Sequence, residues 1–250
     1  METLIRKAAL DLRDSHNCVS YKMETEAEGL IFSEISERIN LLGGILPITI
    51  KIGGPAARGD MRTCIGLGVD GLTAPMVESE YGLKDFIRSL ESVANESVFN
   101  DLLKGINIET CTAYDNLDKI LASEYLNRLD AFSIGRSDLS GSLGESVDSE
   151  RMFVIAADIA QRGQERGLII SVGGGITPSN VNQVIQRIRP DKVNTRNLIF
   201  AVVEGVDYTL AIQKALELEI AILEWKKKTY LDYVAMIDQR IKVITSRLEK

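Results

Sequence analysis

The feature that most narrows the fold is an alternation. Short β-rich runs recur about every 25–30 residues, and the stretches between them carry helical periodicity. The runs are CVSYKMET (18–25), PITIKIG (47–53), DGLTAPMV (70–77), KGINIET (104–110), DAFSIGR (130–136), GLIISVGG (167–174) and DKVNTRN (191–197). Helices are expected to begin near Leu30, Ala56, Glu80, Asp115, Ser149 and Pro178. Pro178 stands where a first-turn proline belongs, with Thr177 as its cap, ahead of the amphipathic run NVNQVIQRI. Strand–helix–strand units of this length build parallel sheets, either closed or doubly wound.

The strand ends favour closure. Polar or charged residues collect there: Glu24 and Glu26, Lys51, Glu78, Glu109, Arg136 with Asp138, and Arg196. A barrel gathers such ends around one mouth, whereas an open sheet spreads them along an edge. The expected fold is therefore α/β, a TIM-type (β/α) barrel. Only seven strands are evident, so the eighth is degenerate, missing, or replaced by the N-terminal helix METLIRKAALDLRDSH.

The barrel with that helix is assigned to residues 1–205, and 206–250 to a C-terminal helical extension. From Leu216 a stripe steps by four and three through Ile220, Leu223, Lys227, Tyr230, Val234, Ile237, Ile241, Ile244 and Leu248, with only Lys227 interrupting it. This heptad-like pattern predicts one long helix packed on another helix. Such a helix either lies across its own barrel or joins copies in a homo-oligomer. The second reading is favoured because its length outruns a barrel's flank.

Composition excludes several classes. The net charge of −7 argues against a nucleic-acid partner, which needs clustered cations. The one basic run, Lys226–Lys228, is read as solvated. Cys18, Cys64 and Cys111 are far apart and in no metal spacing, which fits a reducing compartment. No secretory core and no apolar run of roughly 18 residues is visible, so a cytoplasmic protein with no membrane partner is expected.

Glu109 ends one strand and Asp138 follows the end of the next, so a barrel sets them side by side. Two carboxylates there repel unless a cation joins them, and Mg²⁺ or Mn²⁺ would suit oxygen ligands. The alternative is two solvated loop acids. The run GRSDLSGSLG offers backbone N–H groups around Gly135 and Ser137, a nest for an anion. Arg136 adds a cation there, or bridges to a carboxylate at the mouth. Gly173 and Gly174, in VGGGITPSNV, either grip a phosphate before a helix or make a tight turn. Lys51 holds an anion in preference to forming a Schiff base. Glu24 or Glu26 serves as general base. His16, the only histidine, precedes the first strand at the end opposite the mouth, so no histidine-based triad is expected.

The ordered trio GLGVDGLTAPMVES, INIETCTAYDNLDKIL and LDAFSIGRSDLSGSLG resembles the HpcH/HpaI aldolase and citrate lyase family. The resemblance covers about residues 45–145 well and 20–200 more loosely. It implies a phosphoenolpyruvate/pyruvate-type barrel that binds Mg²⁺ or Mn²⁺ through Glu109 and Asp138. It also implies a 2-oxo acid whose carboxylate meets the backbone of 135–138. The VGGGITPSNV turn and the KVNTRNLIF strand depart from the pyruvate aldolases, and two single positions depart as well. Lys51 stands where many members carry arginine, and METEAEG lacks the histidine of the aldolases. The expected activity is a metal-dependent carbon–carbon lyase acting on a 2-oxo acid or related acyl substrate. A phosphate-binding isomerase or synthase, and a barrel that only binds or scaffolds, are the alternatives.

Overall fold

A computed structural model of the chain describes residues 1–26, 28–229 and 234–250. Eight strands close into one barrel in chain order. They are β1 (Cys18–Glu24), β2 (Ile48–Lys51), β3 (Gly71–Ala74), β4 (Leu103–Ile108), β5 (Ala131–Gly135), β6 (Ile169–Gly173), β7 (Lys192–Asn194) and β8 (Leu198–Ala201). The outer helices are α1 (Glu2–His16), α2 (Phe32–Leu42), α3 (Arg58–Gly66), α4 (Glu80–Glu91), α5 (Glu96–Asp101), α6 (Cys111–Asp115), α7 (Leu117–Leu121), α8 (Arg136–Leu143), α9 (Glu150–Gln164) and α10 (Val181–Ile188). Two more, α11 (Tyr208–Thr229) and α12 (Val234–Leu248), complete the chain.

Side chains alternate across each strand. The large apolar ones face outward to the helices: Tyr21, Met23, Ile50, Leu72, Ile106, Phe132, Ile134, Ile170, Val172 and Phe200 are all fully buried. Burial of each such side chain stabilises the fold by about 1.5–3 kcal/mol. Gly163 on α9 shows how closely the layers meet, since a Cβ there would lie 2.5 Å from Ile170 Cδ1. The inward positions are different in kind. Ser20, Thr49, Thr73, Gly105, Ser133 and Ser171 leave a cavity of about 260 Å³ within the barrel, below the mouth. Barrel interiors are usually filled with branched apolar residues. Here the inward residues are small, hydroxyl-bearing ones among them, and Val19, Ala131, Ile169 and Ile199 also line the cavity.

The eighth strand corrects the sequence reading. It is neither missing nor replaced by α1. The run 191–197 ends its strand at Asn194, turns through Thr195–Asn197, and returns as β8, antiparallel to both β7 and β1. α1 packs outside the barrel on α11, with Lys214 bonded to Asp11 at 2.7 Å.

The helix starts need smaller corrections. Thr110 caps α6, so that helix begins ahead of Asp115; its hydroxyl accepts from Ala113 N at 3.1 Å. Pro178 is not a first-turn residue, because α10 starts at Val181. Thr177 and Asn180 instead exchange bonds, Thr177 N to Asn180 Oδ1 at 2.9 Å and Asn180 N to Thr177 Oγ1 at 3.2 Å. The segment after Gly135 is the helix α8, not an open loop.

The C-terminal stripe is carried by two helices, not one. Lys227 pairs with Asp238 at 2.5 Å, and Arg247 faces Glu219, so α11 and α12 run antiparallel. Leu223, Ile237 and Ile244 are buried, while Ile220, Ile241 and Leu248 pack on the core. The two halves of the stripe thus cover each other within one chain. Tyr230 lies outside the described residues. Nor is the basic run wholly solvated, since Lys226 is buried and pairs with Glu34 on α2. No helix among the described residues is long and apolar enough to cross a membrane.

Candidate active site

The parallel strands deliver their C-terminal ends to one pocket of about 200 Å³. Glu24, Lys51, Glu109, Gly135, Ser137, Asp138, Gly173 and Gly174 all line it. Residues drawn from five stretches of sequence are brought together by the barrel alone.

Glu109 sits just past β4 and is 2% exposed. Its Oε2 accepts from Asn107 Nδ2 at 2.8 Å and its Oε1 from Met76 N at 3.0 Å. Burial raises its pKa. Lys51 and the two hydrogen bonds pull the other way, and Asp138 adds to the rise. Gly135 makes this placement feasible, because a Cβ there would lie 2.6 Å from Glu109 Oε2. Asp138, in the first turn of α8, is exposed, and no donor among the described residues bonds its carboxylate. Among the described residues no group of three or more His, Cys, Asp and Glu side chains forms a metal cluster. Glu109 and Asp138 thus bring two carboxylates to the pocket. That is compatible with Mg²⁺, which commonly takes one or two carboxylates and completes its shell with substrate and water.

Lys51 is buried between Glu26 at 2.7 Å and Glu24 at 3.8 Å. Burial alone would lower its pKa. Glu24, Glu26 and Glu109 outweigh that and hold the ammonium above its ordinary range. A lysine held charged is a poor imine nucleophile, and in this structure its charge is met by the carboxylates of the mouth. Glu24 lines the pocket, held by Lys22 at 3.1 Å and Arg196 at 3.5 Å, whereas Glu26 is an exposed residue on Lys51 that the pocket wall does not include. Of the two base candidates, Glu24 is the one in reach of a ligand.

Arg136 turns away from the mouth. It is fully buried, donates to Val147 O at 2.7 Å, pairs with Asp148, and lies over the Phe153 ring at 5.3 Å. It opens α8, and its side chain leaves on the face opposite Ser137 and Asp138. It locks the helix start in place and is not available to substrate. What α8 sets against the Gly173–Gly174 turn is its own backbone. A Cβ at Gly174 would collide with Ser137 N and lie 2.9 Å from Arg136 N. Gly174 has φ +87°, a conformation that favours glycine. The Gly173–Gly174 turn therefore walls the start of α8. The start of α10, the alternative place for a phosphate, does not line the pocket, and Gly174 and Gly175 make a tight turn with positive φ.

Several pocket residues escaped the sequence reading. Lys22, Asn107, Ser133 and Asn194 line the wall. Their signal was parity, because each lies two residues before a residue already singled out by its strand end. Beside the mouth, Glu28 is 4% exposed and gathers Arg38 at 3.7 Å, Arg196 at 3.3 Å and Arg240. Burial would raise its pKa, but Arg240, Arg38 and Arg196 outweigh this and lower it to about 2. Glu219, buried on α11, accepts from Thr195 Oγ1 at 2.6 Å and Asn197 N at 2.7 Å and so fixes the β7–β8 turn.

No family model matches the sequence, and no curated protein matches it. The fold, however, has solved counterparts. One is an HpcH/HpaI aldolase from Desulfitobacterium hafniense DCB-2, 15% identical, TM-score 0.61, covering 73% of this chain and 78% of that one. Another is the citrate synthase SbnG, 15% identical, TM-score 0.59, covering 91% of each chain. A third is an HpcH/HpaI aldolase/citrate lyase family protein from Burkholderia cenocepacia J2315, 11% identical, TM-score 0.61, covering 88% of this chain and 99% of that one. The barrel implied by the sequence resemblance is the barrel these proteins share.

Proposed function

We propose that the chain is a carbon–carbon lyase of the aldolase or citrate lyase kind, dependent on Mg²⁺ or Mn²⁺ and acting on a 2-oxo acid or related acyl substrate. The observation that carries the reading is that Glu109 and Asp138, the latter in the first turn of α8, line one pocket. Glu109 and Asp138 would hold the cation. Bound there, it would supply Lewis-acid stabilisation of the negative charge that develops on the substrate oxygen. The backbone N–H groups at Ser137 and Asp138 would receive the substrate carboxylate, and glycine at position 174 sets no side chain against Ser137 N. The Lys51 ammonium would steady a second oxygen of the ketoacid. Glu24, against Lys22, Lys51 and Arg196, would take or return the proton.

The test is Mn²⁺ titration by calorimetry or electron paramagnetic resonance with pyruvate present. Glu109→Gln and Asp138→Asn remove one charge each with little change of shape. Each should weaken Mn²⁺ binding by at least about tenfold, the equivalent of about 1.4 kcal/mol, and abolish 2-oxo acid turnover. A wild type that binds no Mn²⁺, or variants that bind it as tightly, would overturn the metal site.

A further inference from the structure

Two guanidinium groups meet at the edge of the mouth. Arg196 belongs to the β7–β8 turn and Arg247 to the last turn of α12, and both line the pocket that holds Glu109 and Asp138. Arg196 is already engaged, with Glu24 at 3.5 Å and Glu28 at 3.3 Å. Arg247 is not. It is half-buried, and among the described residues it makes no hydrogen bond and no ion pair. Its electrostatic surroundings are Glu219 in its favour and Arg196 against it.

The position of Arg247 is not that of a frayed end. Arg240, two turns earlier on the same face of α12, is bonded to Glu28. Ile237 and Ile244 are buried on the same helix, and Leu248 packs on the core beyond Arg247. α12 is thus held across the rim at several points, and of its two cations that make no hydrogen bond or ion pair among the described residues, exposed Lys242 and half-buried Arg247, Arg247 is the one that lines the pocket. Like charges repel, and Arg196 acts against the charge on Arg247 even with Glu24 and Glu28 beside it. An oxyanion arriving from solvent removes that repulsion, and the guanidinium fork suits a carboxylate in two-bonded geometry.

We infer that Arg247, with Arg196 beside it, is a specificity residue that receives the far carboxylate of a dicarboxylic 2-oxo acid. The near, 2-oxo end of the same molecule lies towards Glu109 and Asp138, so the inference rests on the reading proposed above. The C-terminal helix is then part of the binding site, and a monocarboxylic 2-oxo acid leaves its arginine unused.

Calorimetry in the presence of Mn²⁺ separates the two ideas. Pyruvate and 2-oxoglutarate are titrated into wild type, Arg247→Gln and Arg247→Lys. Wild type should bind 2-oxoglutarate at least about tenfold more tightly than pyruvate, the range expected of a charge-assisted contact. Arg247→Gln should erase that preference and leave pyruvate affinity within about twofold of wild type. Arg247→Lys keeps the charge facing Glu219 but loses the fork, and should retain part of the preference. Pyruvate binding that survives while the preference is absent from wild type, or unchanged in Arg247→Gln, overturns the subsite and leaves the lyase reading standing. Arg247-dependent binding of inorganic phosphate without a preference for 2-oxoglutarate overturns it equally. Failure of wild type to bind either acid with Mn²⁺ overturns both.

Discussion

Replacing Glu28 by Gln should be among the most damaging single changes in this chain, and the structure sets its size. The carboxylate is buried and touches three arginines that come from three places: Arg38 on α2, Arg196 in the β7–β8 turn and Arg240 on α12. Its folded-state pKa of about 2 lies below the ordinary 4.5. At about 1.4 kcal/mol per pKa unit, the difference corresponds to about 3 kcal/mol of stability from this group. Because the folded value is the lower one, that contribution is complete above pH about 4.5. It is lost as pH falls towards about 2. The amide introduced by Glu28→Gln would keep the shape and could still meet Asn197, but it would leave buried Arg38 with Glu34 as its remaining carboxylate and half-buried Arg240 with no ion pair among the described residues. Breaking a buried pair from one side costs about 3–5 kcal/mol.

The assay is urea unfolding of wild type and Glu28→Gln at pH 7 and at steps down to pH 3. Glu109 and Glu219 have raised folded pKa values, so each gains stability on protonation and opposes the Glu28 trend. The informative quantity is therefore the difference between the two proteins. It should be about 3 kcal/mol or more at pH 7 and should shrink below pH 4.5. A difference under about 1 kcal/mol at pH 7, or one that does not change with pH, would refute the account of Glu28 as the charge that joins these elements.

Borohydride reduction in the presence of pyruvate should leave no adduct on Lys51 by mass spectrometry, because Glu24, Glu26 and Glu109 keep that ammonium protonated; a trapped adduct would replace the metal route with an imine route. Gly174→Ala should lower stability by about 1–3 kcal/mol and abolish pyruvate binding, since its Cβ would meet the backbone that opens α8 at a residue with φ +87°; thermal unfolding and calorimetry check both, and a variant as stable and as competent as wild type would refute the packing.

The parallel part of the barrel was legible because strand ends announce themselves. Lys51, Glu109 and Gly135 each close a short apolar run, and the structure puts all three on the pocket wall. What periodicity could not reveal was direction. Arg136 and Ser137 are neighbours in a segment that reads as an open turn, yet the first helical turn sends Arg136 into the protein and Ser137 to the mouth. The apolar stripe was equally ambiguous. A seam of fours and threes is the same whether a helix continues or folds back on itself, and what distinguishes the two is long-range, Asp238 opposite Lys227 and Arg247 facing Glu219. The Glu28 cluster left no local trace, since its partners lie 10, 168 and 212 residues away.

The antiparallel β8 explains how the tail reaches the mouth. In a full set of parallel units the last strand ends at the mouth and the last helix leaves it. Here the β7–β8 turn is at the mouth, held by Glu219, and β8 runs down to the far end. α11 begins there, where the Tyr208 hydroxyl donates to Ala201 O at 2.6 Å. Its 22 residues span about 33 Å, enough to climb the whole barrel wall. Lys226, near its end, meets Glu34 in the first turn of α2, which follows the mouth end of β1. The chain therefore arrives at the rim with α12 still to place, and the apolar face that α12 shares with α11 brings it back across the opening. Reversing one strand reverses the helix after it, and that reversal delivers Arg240 to Glu28 and Arg247 to the pocket.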